Sequence, residues 1–214
     1  MKFNTKTRYG LRTMIEIAMH GEDKGVFQKE ISERQEISFK YLDQIIASLK
    51  ASGLIVNSEG RNSGYVLSRE ASGINVYDVF KSFEHELMII DCLKGEGQCS
   101  REGKCATREF WNGLNDLIVK YLESTNLKDL AEKQEAIDLM KNSGVWPNII
   151  QRPYGIVANP EETPKSIFVS TFDTHPLAPD LDFALNGENS FFQAGIDVLN
   201  KLTDRKSTRL NSSH

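Results

Sequence analysis

The sequence of 214 residues contains only three cysteines, and no proline occurs in its first 146 residues. Long apolar runs are also missing, because stretches such as LMII at 87–90 are far too short to span a bilayer. The N-terminal stretch MKFNTKTRYGLRTM lacks the apolar centre of a signal peptide. We therefore expect a cytoplasmic protein with no membrane partner.

The composition, with 39% hydrophobic and 26% charged residues, is typical of a globular protein and excludes the disordered and membrane classes. The net charge of −4 argues weakly against a nucleic-acid partner. However, residues 1–70 carry 11 Lys and Arg against 9 Asp and Glu, or +2, which leaves −6 for the remainder. The sign of this gradient is that of an N-terminal DNA-binding part, although the excess is small.

Apolar spacing predicts three helices in the first 53 residues. A first helix covers 6–20 and a short second one covers 28–35. After a turn, a third helix begins at the N-cap residue Ser38 and ends at Gly53. The buried stripe of this third helix consists of Leu42, Ile45, Ile46 and Leu49.

Two short β-type runs, at 54–56 and 65–67, flank a tip that contains glycine and arginine, which predicts a hairpin. Two helices joined by a tight turn and followed by such a hairpin indicate a winged helix-turn-helix. Its second helix would enter the major groove, and its wing would contact the DNA backbone or minor groove. The same spacing also arises by chance in small helical domains that bind no DNA.

All three cysteines lie within 14 residues, in the loop DCLKGEGQCSREGKCATREFW. Glycines let such a loop fold back so that several sulfurs point at one centre. The spacing is wider than in the cysteine pairs of zinc fingers and ribbons. A small iron–sulfur cluster accepts irregular thiolate spacing and a fourth ligand that is not cysteine. Zinc, or three thiols that hold no metal, remain as alternatives.

Beyond the cysteines, an apolar seam of coiled-coil type predicts a long helix that pairs two subunits. Its residues, spaced four, three and four, are Phe110, Leu114, Leu117 and Tyr121. Such a stripe is more often a core face. A dimer contact is favoured here because the preceding domain needs two copies to read a two-fold DNA site.

Several motifs together resemble the Rrf-type winged-helix regulators, which include IscR-, NsrR- and CymR-like proteins. They are KTRYGLR.MIEIA, ISERQEIS.KYLDQI...LK..GLI, SGY.LSR, the triple cysteines and FW..L...I..YL, and they span residues 1–133. The resemblance implies a homodimeric transcription regulator, not an enzyme, that binds two-fold operators in double-stranded DNA. Members of the family report on iron–sulfur status, nitric oxide, redox state or cysteine supply.

The resemblance also implies an iron–sulfur cofactor and a DNA-binding surface. The cluster, which we predict to be of the 2Fe-2S type, would be held by Cys92, Cys99 and Cys105. The helix from Ser38 would be the recognition helix, and the hairpin tip would be the wing. The predicted DNA-binding residues are Arg8, Ser38, Lys40, Tyr41, Asp43, Gln44, Arg61 and Asn62.

The fourth cluster ligand stays open, because this sequence departs from both solutions used in the family. The histidine that some members carry three residues after the last cysteine is Arg108 here. The acidic residue that others supply from near the N-terminus of the partner protomer is Arg8. We rank Glu109 first as a replacement for its proximity to the cysteines. The other chemically able residues are His85, Asp91 and Glu102.

The C-terminal part belongs to a different context. All six prolines lie between positions 147 and 179, which places a boundary near residues 131–146. Residues 135–204 resemble an internal stretch of NqrA, one component of the sodium-translocating NADH:quinone oxidoreductase. The stretch offers no cofactor site, and the final RKSTRLNSSH looks like translated vector or adapter. We interpret the chain as a regulator joined to an incomplete, unrelated fragment.

The predicted fold is mainly α with a small β-hairpin. A winged helix-turn-helix at 1–73 is followed by the cysteine loop and a long dimerisation helix at 74–133, an α+β fragment at 134–204 and a non-native tail at 205–214. The predicted function is a DNA-binding regulator that senses redox or iron–sulfur status. The alternatives are a zinc-stabilised or thiol-only module and, from the tail alone, a piece of the respiratory enzyme.

Overall fold

The structure, a computed structural model, comprises two compact units, Met1–Ala131 and Glu132–His214. Helices dominate and the strands are short and paired, so the predicted fold class is confirmed. None of the helices in the described part of the chain is long and apolar enough to cross a membrane. The residues that the structure describes are 3–21, 24–59, 63–84, 86–93, 104–170, 178, 180–203 and 208–211.

The first unit follows the predicted order of elements. The third helix starts one residue after Ser38, and Gly53 has a φ of 70°, the left-handed stop that the sequence predicts. The elements are α1 (Thr5–His20), α2 (Gln28–Gln35), α3 (Phe39–Ala51), β1 (Ile55–Asn57), β2 (Tyr65–Leu67), α4 (Val76–Lys81) and α5 (Arg108–Ser124). The next helix, α6 (Leu127–Asn142), contains the boundary between the units.

Local hydrogen bonds fix the ends of the first helices and the turn that follows them. The side chain of Asn4 accepts from the Lys6 backbone N at 2.6 Å and caps α1. At the end of α2, Glu36 adopts a φ of 53°, and Ser32 Oγ donates to the Ile37 carbonyl at 2.6 Å. Short polar side chains favour such turns because they satisfy backbone groups locally. The turn therefore sets the direction in which α3 leaves α2.

One hydrophobic core joins the winged helix to the segment that carries the cysteines. Met14, Ile31 and Leu42 from the first three helices are fully buried together with Ile74 and Leu127. Burial of each such side chain contributes about 1.5–3 kcal/mol. The reading helices and the stem of the cysteine loop thus share one packing unit.

The wing depends on a close approach of two backbone segments. Strands β1 and β2 pair antiparallel, and Val26 adds an isolated bridge to Tyr65 on the other edge. Gly25 has a φ of 68°, and a Cβ on Gly64 would lie 2.5 Å from the Gly25 carbonyl carbon. Only glycine fits at a separation this small.

The second unit has a small core and many exposed rings. Trp146 donates from Nε1 to the Ala158 carbonyl at 2.8 Å and packs with Met140 and Leu202. Tyr154 is 83% exposed, and Phe183 is 81% exposed. Its remaining elements are β3 (Ile150–Gln151), β4 (Ile156–Val157), β5 (Ile167–Ser170), α7 (Leu181–Ala184), α8 (Asn189–Lys201) and β6 (Thr208–Asn211).

Strand β5 occupies the one β-like run predicted in this part of the sequence, at 166–170. Strand β6 falls in the predicted non-native tail and pairs with β5 in parallel. The proposed domain boundaries, and the interpretation of 134–204 as an incomplete fragment, stay predictions. The small core and the exposed rings favour an incomplete fragment, because a complete domain of this kind would bury more apolar surface.

The wing geometry predicts that Gly64→Ala lowers the free energy of unfolding by about 2 kcal/mol, because its Cβ would force the two backbones apart. Urea unfolding followed by circular dichroism measures this change. The control is Gly73→Ala, whose nearest neighbour would be Arg69 Cδ at 4.0 Å. It should change stability by less than about 0.5 kcal/mol. Equal stability of the two variants would show that the wing tolerates a wider separation.

Candidate nucleic-acid interface and cysteine loop

The outer face of α3 presents most of the predicted base-reading residues. Lys40, Asp43 and Gln44 are exposed and lie on one side of the helix, and exposed Ser38 stands at its N-cap position. The Ser38 side chain makes no capping hydrogen bond. The opposite side of α3 is buried in the core, as predicted. This arrangement leaves a polar helical face available for the major groove.

Tyr41 differs from its neighbours on α3. It is half-buried, and its ring meets the ring of Tyr9 edge to face, with centroids 5.8 Å apart. The guanidinium of Arg12 lies 5.5 Å from the centre of the Tyr9 ring. The ring of Tyr41 therefore packs α3 against α1. Its predicted contact with bases stays a prediction.

Gln28, at the start of α2, was missed by the sequence reasoning. Its Nε2 donates to Asp43 Oδ1 at 3.0 Å and to the Phe39 carbonyl at 3.3 Å. The residue belongs to no apolar stripe, and its partners lie 11 and 15 positions away in the sequence. No periodicity could have indicated this contact. It ties the first turn of α3 to α2.

The far end of α3 is linked to the wing. Lys50 Nζ donates to Asn57 Oδ1 at 2.8 Å and lies 5.8 Å from the centre of the Tyr65 ring. Burial raises the pKa of the Tyr65 phenol, and the negative charge of Asp43 raises that pKa further. Helix and wing strands thus form one surface. The predicted wing contacts Arg61 and Asn62 lie outside the described residues.

A buried carboxylate holds α1 against the end of α2. Glu16 is 4% exposed, and it accepts from Arg34 Nη1 at 2.9 Å and from Gln35 Nε2 at 2.7 Å. The hydrogen bond to Glu16 raises the pKa of Arg34. On the outer side of α1, the predicted DNA contact Arg8 is exposed. The helix-turn-helix is therefore fastened to α1 by charge as well as by apolar packing.

The stem that leads into the cysteine loop is docked on the reading unit. A Cβ on Gly10 would lie 2.3 Å from Phe83 Cε2, so the Phe83 ring lies directly against α1. Next to it, Thr7 Oγ1 donates to Glu84 Oε1 at 3.2 Å. Ser82 Oγ lies 2.7 Å from Ser52 Oγ, at the end of α3. Three consecutive stem residues thus contact both α1 and α3.

The two ends of the loop are also fastened to α5. Asn115, which is 7% exposed, accepts from the Ile89 backbone N at 3.1 Å through its Oδ1. At the other end, the Cys105 carbonyl accepts from the Arg108 N at 3.2 Å, where α5 begins. Cys105 is half-buried, with Sγ 3.4 Å from Thr107 Oγ1. An anionic group beside this helix N-terminus is favoured by the helix dipole.

Only part of the predicted cluster site is described. Cys92 lies in the 3-10 turn Asp91–Leu93, but its side chain and the whole of Cys99 lie outside the described residues. Among the side chains that are described, no group of three His, Cys, Asp or Glu could hold a metal ion. Glu109 is exposed in the first turn of α5, and Asp91 is exposed beside Cys92. The other candidate ligands, His85 and Glu102, also lie outside the description.

The predicted dimerisation helix is present as α5, and its apolar stripe is uncovered. Phe110, Leu117 and Tyr121 are 64%, 66% and 63% exposed. Leu114, between them, is half-buried. The inner side of α5 buries Asn115 instead, next to the stem of the loop. The apolar seam is thus available for a further partner.

A winged helix-turn-helix with an exposed recognition helix and a long amphipathic helix is the fold of a DNA-binding transcription regulator. The family model for Rrf2, described as an iron-dependent transcriptional regulator, matches residues 3–133. The chain belongs to this family. This confirms the family indicated by the sequence motifs.

The known relatives are regulators. The HTH-type transcriptional regulator IscR of Photorhabdus laumondii is 34% identical over 139 residues, which are 65% of this chain and 84% of that protein. IscR of Escherichia coli K12 is 33% identical and is covered to 85%. This chain is accordingly a transcription regulator of the IscR type and not an enzyme.

Solved structures agree with this fold. CymR of B. subtilis, described as the global cysteine regulator, is 30% identical with a TM-score of 0.52, over 61% of this chain and 96% of that one. The oxidized form of Staphylococcus aureus CymR is 32% identical with a TM-score of 0.50, over 62% and 97%. The likeness covers the first unit of this chain at most.

The second unit has a separate relationship. The family model for the second alpha/beta domain of NqrA matches residues 131–213. The predicted resemblance of the tail to a component of the respiratory enzyme is therefore confirmed. The two matches meet at residues 131–133, inside α6.

The docking of Phe83 on Gly10 predicts that Gly10→Ala displaces the ring. Hydrogen exchange at the Ile89 amide should accelerate, because the stem loses its contact with α1. The control Gly113→Ala fills open space in α5 and should stabilise the protein by about 0.5–1 kcal/mol through helix propensity. If Gly10→Ala were equally stabilising, with unchanged exchange at Ile89, the ring would not depend on this glycine.

Proposed function

We propose that this chain is a homodimeric cytoplasmic regulator that binds two-fold operators and responds to an iron–sulfur cluster of the 2Fe-2S type. The ligands would be Cys92, Cys99 and Cys105, with Glu109 as the first candidate for the fourth position. The observation that carries the proposal is the packing of Phe83 against Gly10. This contact joins the stem of the cysteine loop to the helices that face DNA.

The DNA-binding part of the proposal is supported by the exposed face of α3. Lys40 and Gln44 are side chains that suit phosphates and base edges, and Arg8 adds a second exposed cation on α1. The excess of +2 in residues 1–70 has the sign that attracts DNA. We propose that α3 enters the major groove while the wing contacts the adjacent backbone.

The homodimer is supported by the uncovered stripe on α5. Exposed apolar side chains at Phe110, Leu117 and Tyr121 lose free energy to water unless a partner covers them. A second copy presents the same stripe and would pair with it about a two-fold axis. Such a pair would hold two recognition helices about one turn of DNA apart.

The donor set fits an iron–sulfur cluster chemically. Three thiols lie within 14 residues, and carboxylates at Asp91 and Glu109 offer oxygen ligands nearby. When bound, the cluster would supply an assembly-dependent and redox-dependent link between the thiols. Oxygen ligation at the fourth position would make the cluster more labile than thiolate ligation, which suits a sensor.

The residues of the chain itself would transmit the response. The Ile89–Asn115 hydrogen bond fixes the stem to α5, and the contacts of Ser82, Phe83 and Glu84 fix it to α3 and α1. A stem that shifts against α5 would therefore alter the separation of the two recognition helices. Because both half-sites must be engaged together, a small shift loses contacts on both sides.

A thiol-only regulator is a second candidate. The solved structures of CymR resemble the first unit, and one is described as a regulator of cysteine and another as an oxidized form. In that case the cysteines would respond through their own oxidation. A zinc-stabilised module is the third candidate. A respiratory role is supported only by the match at 131–213.

We expect protein purified without oxygen to be coloured and to contain iron and sulfide, and Cys105→Ser to lose both. Affinity for operator DNA, measured by gel shift at one stated salt concentration, should differ between cluster-loaded and cluster-free protein. Colourless protein with one zinc per chain would support the zinc module instead. Colourless, metal-free protein whose DNA affinity changes on thiol oxidation would support the thiol-only regulator.

The choice of Glu109 as fourth ligand predicts that Glu109→Gln shortens the lifetime of the cluster in air, because an amide is a weaker ligand than a carboxylate. Loss of the visible absorption band with time measures this lifetime. The control is Glu123→Gln, an exposed carboxylate near the other end of α5. Identical decay of all three proteins would remove Glu109 from the site.

A further inference from the structure

The side-chain amide of Gln28 bridges α2 and the first turn of α3. Both hydrogens of Nε2 are used, one toward Asp43 Oδ1 at 3.0 Å and one toward the Phe39 carbonyl at 3.3 Å. Gln28 is half-buried, whereas Asp43 is exposed on the face of α3 that would meet DNA. A neutral donor thus holds a charged side chain of the recognition helix in one orientation.

A carboxylate on this face needs an explanation. Phosphates repel it, so Asp43 weakens binding to DNA in general unless it gains something at a base edge. The charge is real at neutral pH, because its field contributes to raising the pKa of the Tyr65 phenol. The hydrogen bond from Gln28 occupies Oδ1, while Oδ2 accepts no hydrogen bond from the described residues.

In the major groove only two bases present a donor. Cytosine offers its N4 amino group, and adenine offers N6 beside the acceptor N7. A carboxylate suits cytosine, because the acceptor next to the adenine amino group repels it, and guanine and thymine present acceptor oxygens. An oxygen held in a fixed place selects better than one on a rotating side chain, because less conformational entropy is lost on contact.

We propose that Gln28 is a positioning residue that fixes the Asp43 carboxylate so that it selects cytosine at one position of each half-site. This inference rests on the proposed DNA-binding function. Gln28 itself would touch no base. It acts through Asp43 and, through the carbonyl of Phe39, sets the angle at which α3 leaves α2.

The test uses the full chain and a library of DNA duplexes of about 30 base pairs, long enough for two half-sites one turn apart. Bound duplexes are sequenced for the wild type and for Gln28→Met, which keeps the length of the side chain but has no donor. Gln28→Glu is a second variant without donors and adds a repelling charge beside Asp43. Lys29→Ala is the control, because Lys29 is 79% exposed and pairs only with Glu33 in its own helix.

The wild type should prefer cytosine at one position of each half-site by about tenfold. Gln28→Met and Gln28→Glu should reduce that preference to about threefold or less, with preferences elsewhere in the site and the melting temperature unchanged. Lys29→Ala should leave the whole profile as it is. Asp43→Asn should lose the cytosine preference, and adding Gln28→Met to it should have no further effect.

Three results would overturn the inference. A uniform loss of affinity for all sequences in Gln28→Met would mean that the residue only supports the angle between α2 and α3. An unchanged cytosine preference would mean that Asp43 needs no support. A wild type that selects no sequence would refute the proposed function, and this inference with it, whereas the first two results leave DNA binding intact.

Discussion

The contact between the Phe83 ring and the backbone of Gly10 is the interaction on which the working of this molecule depends. It exists only because Gly10 has no side chain, since a Cβ would lie 2.3 Å from the ring. Interiors are closely packed, so a ring seated this tightly cannot slide without moving its support. The stem of the cysteine loop and the first helix of the DNA-binding unit therefore move together or separate altogether.

Helix α1 can pass such a movement on because it is rigidly tied to the helices beyond it. Glu16 binds Arg34 and Gln35 of α2 from a buried position, and breaking a buried ion pair by removing one partner costs about 3–5 kcal/mol. The rings of Tyr9 and Tyr41 connect α1 to α3. The reading unit thus responds as one body, and its coupling to the cysteines is concentrated in the stem residues 82–84.

The parts of this structure that were predictable from sequence are those set by local spacing. The stripe of α3, the stop at Gly53 and the strand 65–67 follow from residues within a few positions of one another. The contacts that adjust the site are long-range. Gln28 with Asp43 and Gly25 with Gly64 join positions whose partners no periodicity identifies, and Tyr41, an expected base reader, packs on Tyr9.

The core of the first unit also explains why the regulator needs nothing from the NqrA-like segment. The residues of that core cluster run from Met14 to Leu127, and Leu127 is fully buried at the first position of α6. Its burial completes the core before the family match to the second segment begins at residue 131. Stability of the reading unit arises from this apolar burial, which is complete within the residues matched by the Rrf2 family. The determinants of DNA reading and of cysteine chemistry therefore all lie within the first 133 residues, and the second segment contributes none of them.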